Sequence, residues 1–340
     1  FNKNLPSTEK IGKYFIKRTH VWFSFFLFFI NPGMYKQMMH DDFDLIHAIG
    51  VRSFQAFIAA LVSKQKKIPL IISDQGGLTT HPDIKSSSFT KRFLIKLQTP
   101  LIKFIIKQAT KVIVANEYEK KIFLNFCNES KISIVKNGID LDELQSSRSN
   151  FIEKYKLNQK FILFLGRFHQ VKGVDTLLES INLIKNNPVL NDIKFVIMGV
   201  DFGFQSQMEK KIKEYDLSPK ILLIKKPPRD DVISAYSQCE FLVLPSKWEL
   251  SPLTPLEGFA FKKTLISTTA HGIPYTIQHN ENCILVEPEN SLKLSNAILD
   301  LLNNRKKCEK LGESGYDLVH SICNSNHMVN ETMNIYKQLI

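Results

Sequence analysis

Two glutamates, Glu249 and Glu257, are separated by seven residues that contain a helix-start signal. Ser is a favoured helix N-cap and Pro suits the first helical position, so Ser251-Pro252 predicts a helix that begins at about Pro252. The apolar run at 240–245, just before them, has strand character. The stretch is therefore predicted to be a strand, a tight loop and a helix, with Glu249 in the loop and Glu257 more than one turn inside the helix.

The start of this helix combines an anion site with two hydrogen-bond acceptors. The backbone amides of Leu253 and Thr254 would point out of the helix N-terminus, where they suit an anion. Carboxylates instead accept hydrogen bonds from hydroxyl groups. A sugar nucleotide has both features, because it carries a diphosphate and the hydroxyls of a ribose and a hexose. A surface helix with ordinary glutamates is the alternative that this stretch alone leaves open.

A second stretch, at 161–173, adds positive charge to the same chemistry. An apolar run typical of a buried strand ends at Gly166, where the missing side chain lets a ligand approach the backbone closely. Arg167 and Lys172 then place two cations on one loop, which suits a diphosphate. Alone, the pattern is equally that of a surface loop with two basic residues.

Together the two stretches resemble the retaining GT-B glycosyltransferases, in particular family 4. The resemblance rests on the pattern G-R-x4-K-G at 166–173, followed along the chain by E-x7-E at 249–257. Further matches are N-G-I-D at 137–140, G-I-P at 272–274 and the segment at 281–288. The resemblance runs from about residue 43 to the C-terminus and is most specific in the second half.

The resemblance implies an α/β GT-B fold in which two Rossmann-like parallel-sheet domains face a cleft. Residues 1–145 would form the N-terminal, acceptor-side domain and residues 146–325 the C-terminal nucleotide-sugar-binding domain, with a polar hinge at 142–150. Residues 326–340 would form a helix that returns to the N-terminal domain. No strand with a Gly-rich loop opens the chain, since Gly12 stands alone, so the first strand–helix units are expected to be truncated or diverged.

Apolar runs and helical patterns alternate along the chain, which is typical of parallel sheets with right-handed crossovers. Residues 21–30 are predicted to form one buried strand; the alternative is a basic-aromatic segment lying on a membrane surface. This apolar run is about half the length that a transmembrane helix needs. Further strands are expected at 43–49, 69–73, 111–115, 131–135, 161–165, 194–198, 221–225, 240–244, 264–267 and 283–286. Helices are expected at 31–39, 53–64, 91–108, 117–126, 291–303 and 326–339, and a mobile loop at 81–88.

The resemblance also implies roles for single residues. Arg167 and Lys172 would neutralise the departing diphosphate while Glu249 holds the hexose hydroxyls, so these three residues would carry catalysis by charge stabilisation. Glu257 would hold the ribose hydroxyls. The main chain around Ile224 would contact the nucleotide base. The implied donor site consists of Gly166, Arg167, Lys172, Ile224, Leu253, Thr254 and Glu257.

On the acceptor or sugar side, the resemblance points to His47, Gln75 and Gly76. Many relatives carry a histidine that contacts the transferred sugar where this chain has Gln75, so we expect either this contact or the sugar preference to differ. His169 and His271 lie near the site in the sequence, but the family does not use them. We therefore expect both to be surface residues.

The positive charge is concentrated in the first part of the chain. The formal net charge is +12, and residues 1–140 carry 21 Lys+Arg against 10 Asp+Glu. Such a basic domain suits an anionic membrane surface, a phosphate-bearing acceptor or nucleic acid, although lysines on solvated helices explain it equally well. Nucleic acid is not an expected partner, because no aromatic-basic recognition motif is present. The expected partners are a nucleoside-diphosphate sugar, a glycan or lipid-linked acceptor, and an anionic membrane surface.

The cysteines and the titratable residues predict neither a metal nor another cofactor. The five cysteines lack C-x-x-C spacing, so we expect the protein to lie in a reducing cytosol. The basic first part of the chain adds the expectation of peripheral attachment to the inner face of the membrane. Arg167 and Lys172 would replace the magnesium ion that other enzymes use to neutralise a diphosphate. Two other functions stay open: a catalytically impaired sugar-nucleotide-binding protein, favoured by the missing opening loop, and a sugar-nucleotide epimerase of the same fold, for which no acid–base constellation stands out.

Overall fold

The computed structural model describes residues 5–25, 28–74, 76, 78, 98–145 and 149–340. They form two compact units. The first unit comprises Phe1–Val114, Glu119–Ile134 and Met333–Ile340. The second comprises Ala115–Tyr118 and Val135–Thr332.

Two short antiparallel hairpins begin the first unit. Strand β1 (Thr8–Ile11) pairs with β2 (Tyr14–Lys17), and β3 (Phe23–Phe25) pairs with β4 (Phe28–Ile30). Gly12 lies in the turn of the first hairpin with a φ of +58°, a conformation that glycine adopts without steric cost.

The prediction of one buried strand at 21–30 is wrong. Strand β3 pairs with β4 in antiparallel register, and Trp22 and Phe23 are 69% and 57% exposed. The β-forming residues pair with their own neighbours rather than with a central sheet. A high β propensity indicates an extended segment but does not determine which strand it pairs with or how deeply it is buried.

The core of the first unit is a four-stranded parallel sheet with helices packed against it. The strands are β5 (Ile46–Ile49), β6 (Leu70–Ser73), β7 (Lys111–Val114) and β8 (Ile132–Ile134), in the spatial order β5-β6-β7-β8. The helices are α1 (Gly33–His40), α2 (Phe54–Lys66), α3 (Thr99–Gln108) and α4 (Glu117–Phe123), of which the first two residues of α4 belong to the second unit. Helix α2 begins where the side chain of Ser53 accepts a hydrogen bond from the amide of Ala56 at 3.0 Å, as an N-cap should. Buried residues of the sheet and helices, among them Ala59, Ile72, Ile105 and Val112, form one apolar core.

Part of one helix prediction lies outside the described residues. The helix expected at 91–108 is present from Thr99, and residues 91–97 are not described. The loop expected at 81–88 also lies outside the described ranges.

The second unit contains a six-stranded sheet in which all strands are parallel. The strands are β9 (Lys160–Leu165), β10 (Ile193–Gly199), β11 (Ile221–Lys225), β12 (Leu242–Leu244), β13 (Leu265–Thr268) and β14 (Cys283–Val286). Their spatial order is β11-β10-β9-β12-β13-β14. Each strand lies within two residues of its predicted bounds. The strands are near-continuous apolar runs because a parallel sheet is covered by helices on both faces.

The helices of the second unit vary from one turn to almost five turns. They are α5 (Leu141–Gln145), α6 (Phe151–Lys154), α7 (Val174–Ile184), α8 (Gln205–Glu214), α9 (Arg229–Gln238), α10 (Leu253–Phe259), α11 (Ile273–Thr276), α12 (Ser291–Asn303), α13 (Arg305–Ser321) and α14 (Ser325–Lys337). Helix α14 extends into the residues that belong to the first unit.

The expected hinge at 142–150 is partly helical. The carboxylate of Asp140 accepts hydrogen bonds from the amides of Asp142 at 3.0 Å and Glu143 at 3.2 Å, and so caps α5. The single buried side chain of this helix is Leu144, which explains why the sequence shows no apolar period there. Residues 146–148 lie outside the described ranges.

The strand order of the second sheet defines where a ligand is expected to bind. From β9 the chain moves outward on one side to β10 and β11, and then returns to the other side of β9 with β12. Neighbouring strands whose connections leave in opposite directions form the switch point of the sheet, here β9 and β12. A crevice opens there at the carboxyl ends of the strands, and ligands of doubly wound folds bind in it. The loops after β9 and β12 carry the two motifs found in the sequence.

Candidate functional site

The β9 loop (166–173) and the β12 loop (245–252) are joined by close backbone contacts. The amide of Lys247 donates a hydrogen bond to the carbonyl of Val171 at 2.8 Å. Gly173 has a φ of +68°, and a Cβ atom placed there would lie 1.9 Å from the carbonyl oxygen of Pro245. Glycine at the end of G-R-x4-K-G is therefore required by the approach of the other loop.

Lys172 and Glu249, predicted to bind different parts of the donor, form an ion pair. Their side chains are 13% and 12% exposed, and the hydroxyl of Ser246 donates a second hydrogen bond to Glu249 Oε1 at 3.3 Å. Removing one partner of a buried pair leaves an uncompensated charge, so these two residues depend on each other. Sequence reasoning placed both side chains at the site but did not predict that they pair.

Arg167 differs from Lys172 in its surroundings. It is exposed, and its guanidinium group lies over the ring of Phe202, 5.1 Å from the ring centroid. A cation over an aromatic face is held by the negative charge of the π-system. Phe202 therefore orients Arg167 at the start of the β9 loop. No motif in the sequence pointed to this partner.

Two glycines near the β9 loop have different explanations. A Cβ atom at Gly199 would lie 1.8 Å from the carbonyl oxygen of Gly166, so the protein's own backbone excludes a side chain at Gly199. A Cβ atom at Gly166 would make only ordinary contacts, at 3.4 Å from the ring of Phe164 and 4.0 Å from Lys172. The packing of the chain therefore does not demand glycine at 166.

Helix α10 begins at Leu253, one residue later than predicted. Pro252 is extended, with φ −68° and ψ +136°, and takes the N-cap position that Ser251 was expected to occupy. Since proline has no N–H group, Pro255 cannot donate, and the first-turn amides of this short helix are those of Leu253 and Thr254. The two amides predicted for an anion are thus the ones that the helix presents.

Glu257 is bonded at both carboxylate oxygens. Arg229 Nη2 lies 2.6 Å from Oε1, and the hydroxyl of Tyr236 donates to Oε2 at 2.6 Å. Arg229 also forms a two-pronged pair with Glu143, with Nε–Oε1 at 3.0 Å and Nη2–Oε2 at 3.2 Å. None of these three partners was singled out from the sequence.

The electrostatics of this cluster follow from burial and pairing. Burial lowers the pKa of Arg229, but its hydrogen bonds to Glu257 and Glu143 outweigh this effect and the net pKa is raised. Complete burial, together with the charge of Glu257, raises the pKa of Tyr236 well above its usual value. Arg229 therefore stays a cation and Tyr236 stays a hydrogen-bond donor.

Ile224, the residue expected near the nucleotide base, is buried close to the end of β11. The chain after this strand turns through Lys226, which has a φ of +50° and donates its amide to the carbonyl of Gly199 at 2.7 Å. The main chain of this turn is thereby fixed to the end of β10, next to the β9 loop.

Two asparagines hold the β12 loop and were missed as contributors to the site. The buried Asn116 donates its side-chain amide to the carbonyl of Leu250 at 2.8 Å, and Asn137 donates to the carbonyl of Ser251 at 3.3 Å. Asn137 is the first residue of the N-G-I-D match, so the sequence marked this position but did not indicate what its side chain does. A Cβ atom at the next residue of the motif, Gly138, would lie 2.2 Å from a backbone carbonyl oxygen, which explains the glycine there.

The expectation that His169 and His271 are plain surface residues is wrong. Both are half-buried. His169 Nδ1 accepts from the amide of Val171 at 3.2 Å and so caps the short turn of the β9 loop. His271 Nδ1 lies 2.8 Å from the hydroxyl of Tyr118, and its ring lies beside Trp248 of the β12 loop. Both histidines shape the loops that carry the predicted donor residues.

The acceptor-side residues lie in the first unit. His47, on β5, has Nε2 at 2.6 Å from the hydroxyl of Ser73, and its Nδ1 is hydrogen-bonded to the hydroxyl of Tyr336. Burial lowers the pKa of His47, which favours the neutral ring. Gly76 has a φ of +94°, which favours glycine, and Gln75 lies outside the described residues. Both ring nitrogens of His47 are thus engaged within the first unit.

Family models identify the class of this protein. The model described as Glycosyl transferases group 1 matches residues 146–318, and the one described as Glycosyltransferase Family 4 matches residues 7–143. The chain therefore belongs to the group 1 glycosyltransferases, and it is a glycosyltransferase enzyme of the GT-B fold. The family and the fold class expected from the motifs are confirmed.

Individual relatives agree with this assignment. An uncharacterised glycosyltransferase of Methanocaldococcus jannaschii is 28% identical over 275 residues, which cover 81% of this chain and 70% of that protein. An Escherichia coli protein named UDP-Gal:alpha-D-GlcNAc-diphosphoundecaprenol alpha-1,3-galactosyltransferase is 21% identical over 311 residues, or 85% of this chain and 76% of its own. The crystal structure of Anabaena HepE in complex with UDP aligns with a TM-score of 0.73 at 16% identity, over 91% of this chain and 81% of that chain, which shows the shared fold.

The described ranges hold neither a membrane-spanning helix nor a cluster of metal ligands. None of their helices is both long and apolar enough to cross a bilayer. In the same part of the chain, no three His, Cys, Asp or Glu side chains are grouped as ligands of a metal ion.

Proposed function

We propose that this glycosyltransferase moves a hexose from a nucleoside-diphosphate sugar to a hydroxyl of a lipid-linked, polysaccharide or other glycan acceptor, with retention at the anomeric carbon. The observation that carries the proposal is the near-buried pair of Lys172 and Glu249 at the switch point of the second sheet. The name of the Escherichia coli relative supports a UDP-sugar donor and a lipid-linked acceptor, and the Anabaena structure contains UDP.

The proposed roles follow from charge and position. Arg167 and Lys172 neutralise the diphosphate as it leaves, with help from the amides of Leu253 and Thr254, and no metal ion or other cofactor is required. Glu249 accepts hydrogen bonds from the hexose hydroxyls. Donor binding replaces part of the Lys172–Glu249 pairing, since the phosphate becomes the anionic partner of Lys172. The site then works mainly by positioning and by stabilising charge that develops in the transition state.

We propose that residues of the first unit bind the acceptor. His47, Gln75 and Gly76 are the candidates on this side. His47 is held between two hydroxyls, and burial lowers the pKa of its ring, so it acts there as a fixed polar group.

A panel of sugar nucleotides tests the donor class. UDP-, GDP- and ADP-hexoses are added separately to the protein, and thermal unfolding is followed for each. One family of donors at ~100 times its dissociation constant should stabilise the native state by roughly 2.7 kcal/mol, because the ligand binds only the folded protein. Stabilisation by none of the three families, in a folded sample, would contradict the proposed donor.

A lipid-linked acceptor requires contact with a membrane, and the first unit has a surface suited to it. The hairpin β1–β2 carries Lys13 and Lys17 beside the exposed rings of Tyr14 and Phe15, and Trp22 is exposed nearby in the sequence. Each Lys or Arg near an anionic surface contributes roughly 1 kcal/mol, and salt screens this attraction. We propose that this surface attaches the enzyme peripherally to anionic membranes.

Vesicle co-sedimentation tests the membrane proposal. We expect binding to anionic vesicles at low salt, weaker binding at high salt, and little binding to neutral vesicles. Charge reversal at Lys13, Lys17 and Arg18 should weaken the binding and leave the affinity of the second unit for nucleotide unchanged. The matched control reverses three exposed cations of α12 and α13 instead: Lys293, Arg305 and Lys306. A donor-binding sample that does not bind anionic vesicles at low salt would exclude the proposal.

A further inference from the structure

Each carboxylate oxygen of Glu257 accepts one hydrogen bond from the protein. Arg229 occupies a position on Oε1 and Tyr236 a position on Oε2, both at 2.6 Å. An ionised carboxylate offers about four lone-pair positions, two on each oxygen. One acceptor position therefore remains on each oxygen, and the side chain is 15% exposed, so these positions are accessible from one side. Two acceptors on one rigid group match the neighbouring 2′- and 3′-hydroxyls of a ribose.

The orientation of Glu257 is set by groups that are themselves fixed. Tyr236 is fully buried, its ring stacks on Phe261 at an interplanar angle of 11°, and its hydroxyl donates to the carboxylate. Arg229 is held from the other side by the two-pronged pair with Glu143. A planar guanidinium in such a fork loses little further freedom when it also holds Glu257. The carboxylate is thus clamped between a buried donor and an anchored cation.

Charge gives the clamp a second effect. A nearly buried carboxylate is costly unless a positive charge and hydrogen bonds compensate it. Arg229 supplies that charge to Glu257 in direct contact, and an ionised carboxylate accepts hydrogen bonds at both oxygens. Arg229 and Tyr236 therefore determine both the direction and the number of the acceptors that face the ligand.

We propose that Arg229 and Tyr236 are positioning residues of the donor site, which orient the carboxylate of Glu257 so that its two oxygens receive the ribose hydroxyls of a nucleoside diphosphate. The inference rests on the proposed function, because it assumes that Glu257 binds the ribose. It goes further by assigning the orientation of Glu257 to a clamp formed by Arg229 and Tyr236, with Glu143 as the anchor of Arg229.

Calorimetric titration of the full chain with uridine diphosphate tests the clamp. If the wild type binds the guanosine or adenosine analogue instead, that nucleotide is used. Arg229→Gln and Tyr236→Phe should each raise Kd by about tenfold, the size expected for the loss of one well-placed hydrogen bond to a charged group. Glu257→Gln should have a similar effect. Combining it with Arg229→Gln should add little, because the two residues act as one unit.

The 2′,3′-dideoxy nucleotide separates positioning from a general loss of structure. It lacks the hydroxyls that the clamp serves, so the wild type and both variants should bind it with the same affinity. Tyr155→Phe is the matched control, since Tyr155 also donates to a carboxylate at 2.6 Å, but to that of Asp231 on α9 instead of Glu257. Arg305→Gln serves the same purpose for the arginine, which pairs with Glu309 on an exposed helix face. Both controls should bind uridine diphosphate like the wild type.

The outcomes are distinct for the inference and for the proposed function. Wild-type affinity for uridine diphosphate in both variants would overturn the clamp, as would an equal loss of affinity for the dideoxy nucleotide. If Tyr236→Phe does not fold, Arg229→Gln decides the question alone, because this side chain is 40% exposed and its replacement leaves no cavity. A wild type that binds none of the three nucleoside diphosphates would overturn the proposed function and the clamp with it.

Discussion

Lys172→Ala should abolish measurable binding of the nucleoside diphosphate and also destabilise the second unit. The ammonium group is the partner of Glu249, and both side chains are nearly buried. Removing one member of a buried ion pair typically costs about 3–5 kcal/mol, because the other charge stays behind without compensation. The loss of binding has a different origin, since the diphosphate loses a cation at the switch point. Unfolding curves and calorimetric titration measure the two effects separately.

A double variant distinguishes these two effects. Lys172→Ala combined with Glu249→Gln removes both charges, so stability should return toward that of the wild type while binding of the diphosphate stays lost. Glu249→Gln alone should keep the binding of free nucleoside diphosphate but reduce turnover of the sugar donor strongly, since the hexose loses its carboxylate. Arg167→Ala is the control for the loss of a charge at an exposed position. It should weaken binding of the diphosphate and leave stability unchanged. Normal binding of the diphosphate by the double variant would contradict the role of Lys172.

The sheet of the second unit could be predicted because each strand carries its own signal. The runs at β9, β10 and β11 are apolar over most of their length, and strands buried on both faces have this pattern whatever their neighbours are. The segment at 21–30 shows the limit of such reasoning. Its residues favour an extended backbone, but whether they join a central sheet or form a local hairpin depends on pairing partners elsewhere in the chain.

The candidate site could be predicted at the level of loops but not at the level of side-chain partners. The motifs place Lys172 and Glu249 after the ends of β9 and β12, and the strand order makes these ends neighbours. The pairing of the two charges depends on side-chain directions that spacing does not encode. Arg229 and Tyr236 are further examples, because the sequence of helix α9 contains no motif and only the fold brings it beside Glu257. The signal that was available but unused is Asn137, the first residue of a matching motif.

Gly173→Ala is expected to be among the most damaging single substitutions in the second unit. Residue 173 has a left-handed φ of +68°, and the added methyl group would lie 1.9 Å from the carbonyl oxygen of Pro245. The backbone cannot yield there without separating the β9 loop from the β12 loop. Strain at a left-handed position plus the forced shift should cost roughly 3–5 kcal/mol. In a domain of this size, the midpoint of thermal unfolding should fall by about 10 °C.

Gly166→Ala is the matched substitution, on the same loop and with the same added atom. Its methyl group would make ordinary contacts with Phe164 and Lys172, so stability should change by no more than about 0.5 kcal/mol. Binding of the nucleoside diphosphate should nevertheless weaken by about tenfold or more, because the methyl group occupies the space through which a phosphate reaches the backbone. Calorimetry and thermal unfolding on the two variants give opposite expected patterns: lost stability for Gly173→Ala, and lost binding in a stable protein for Gly166→Ala. A Gly166→Ala protein that binds the diphosphate like the wild type would show that no ligand approaches the backbone at this position, and the donor would then have to bind elsewhere on the second unit.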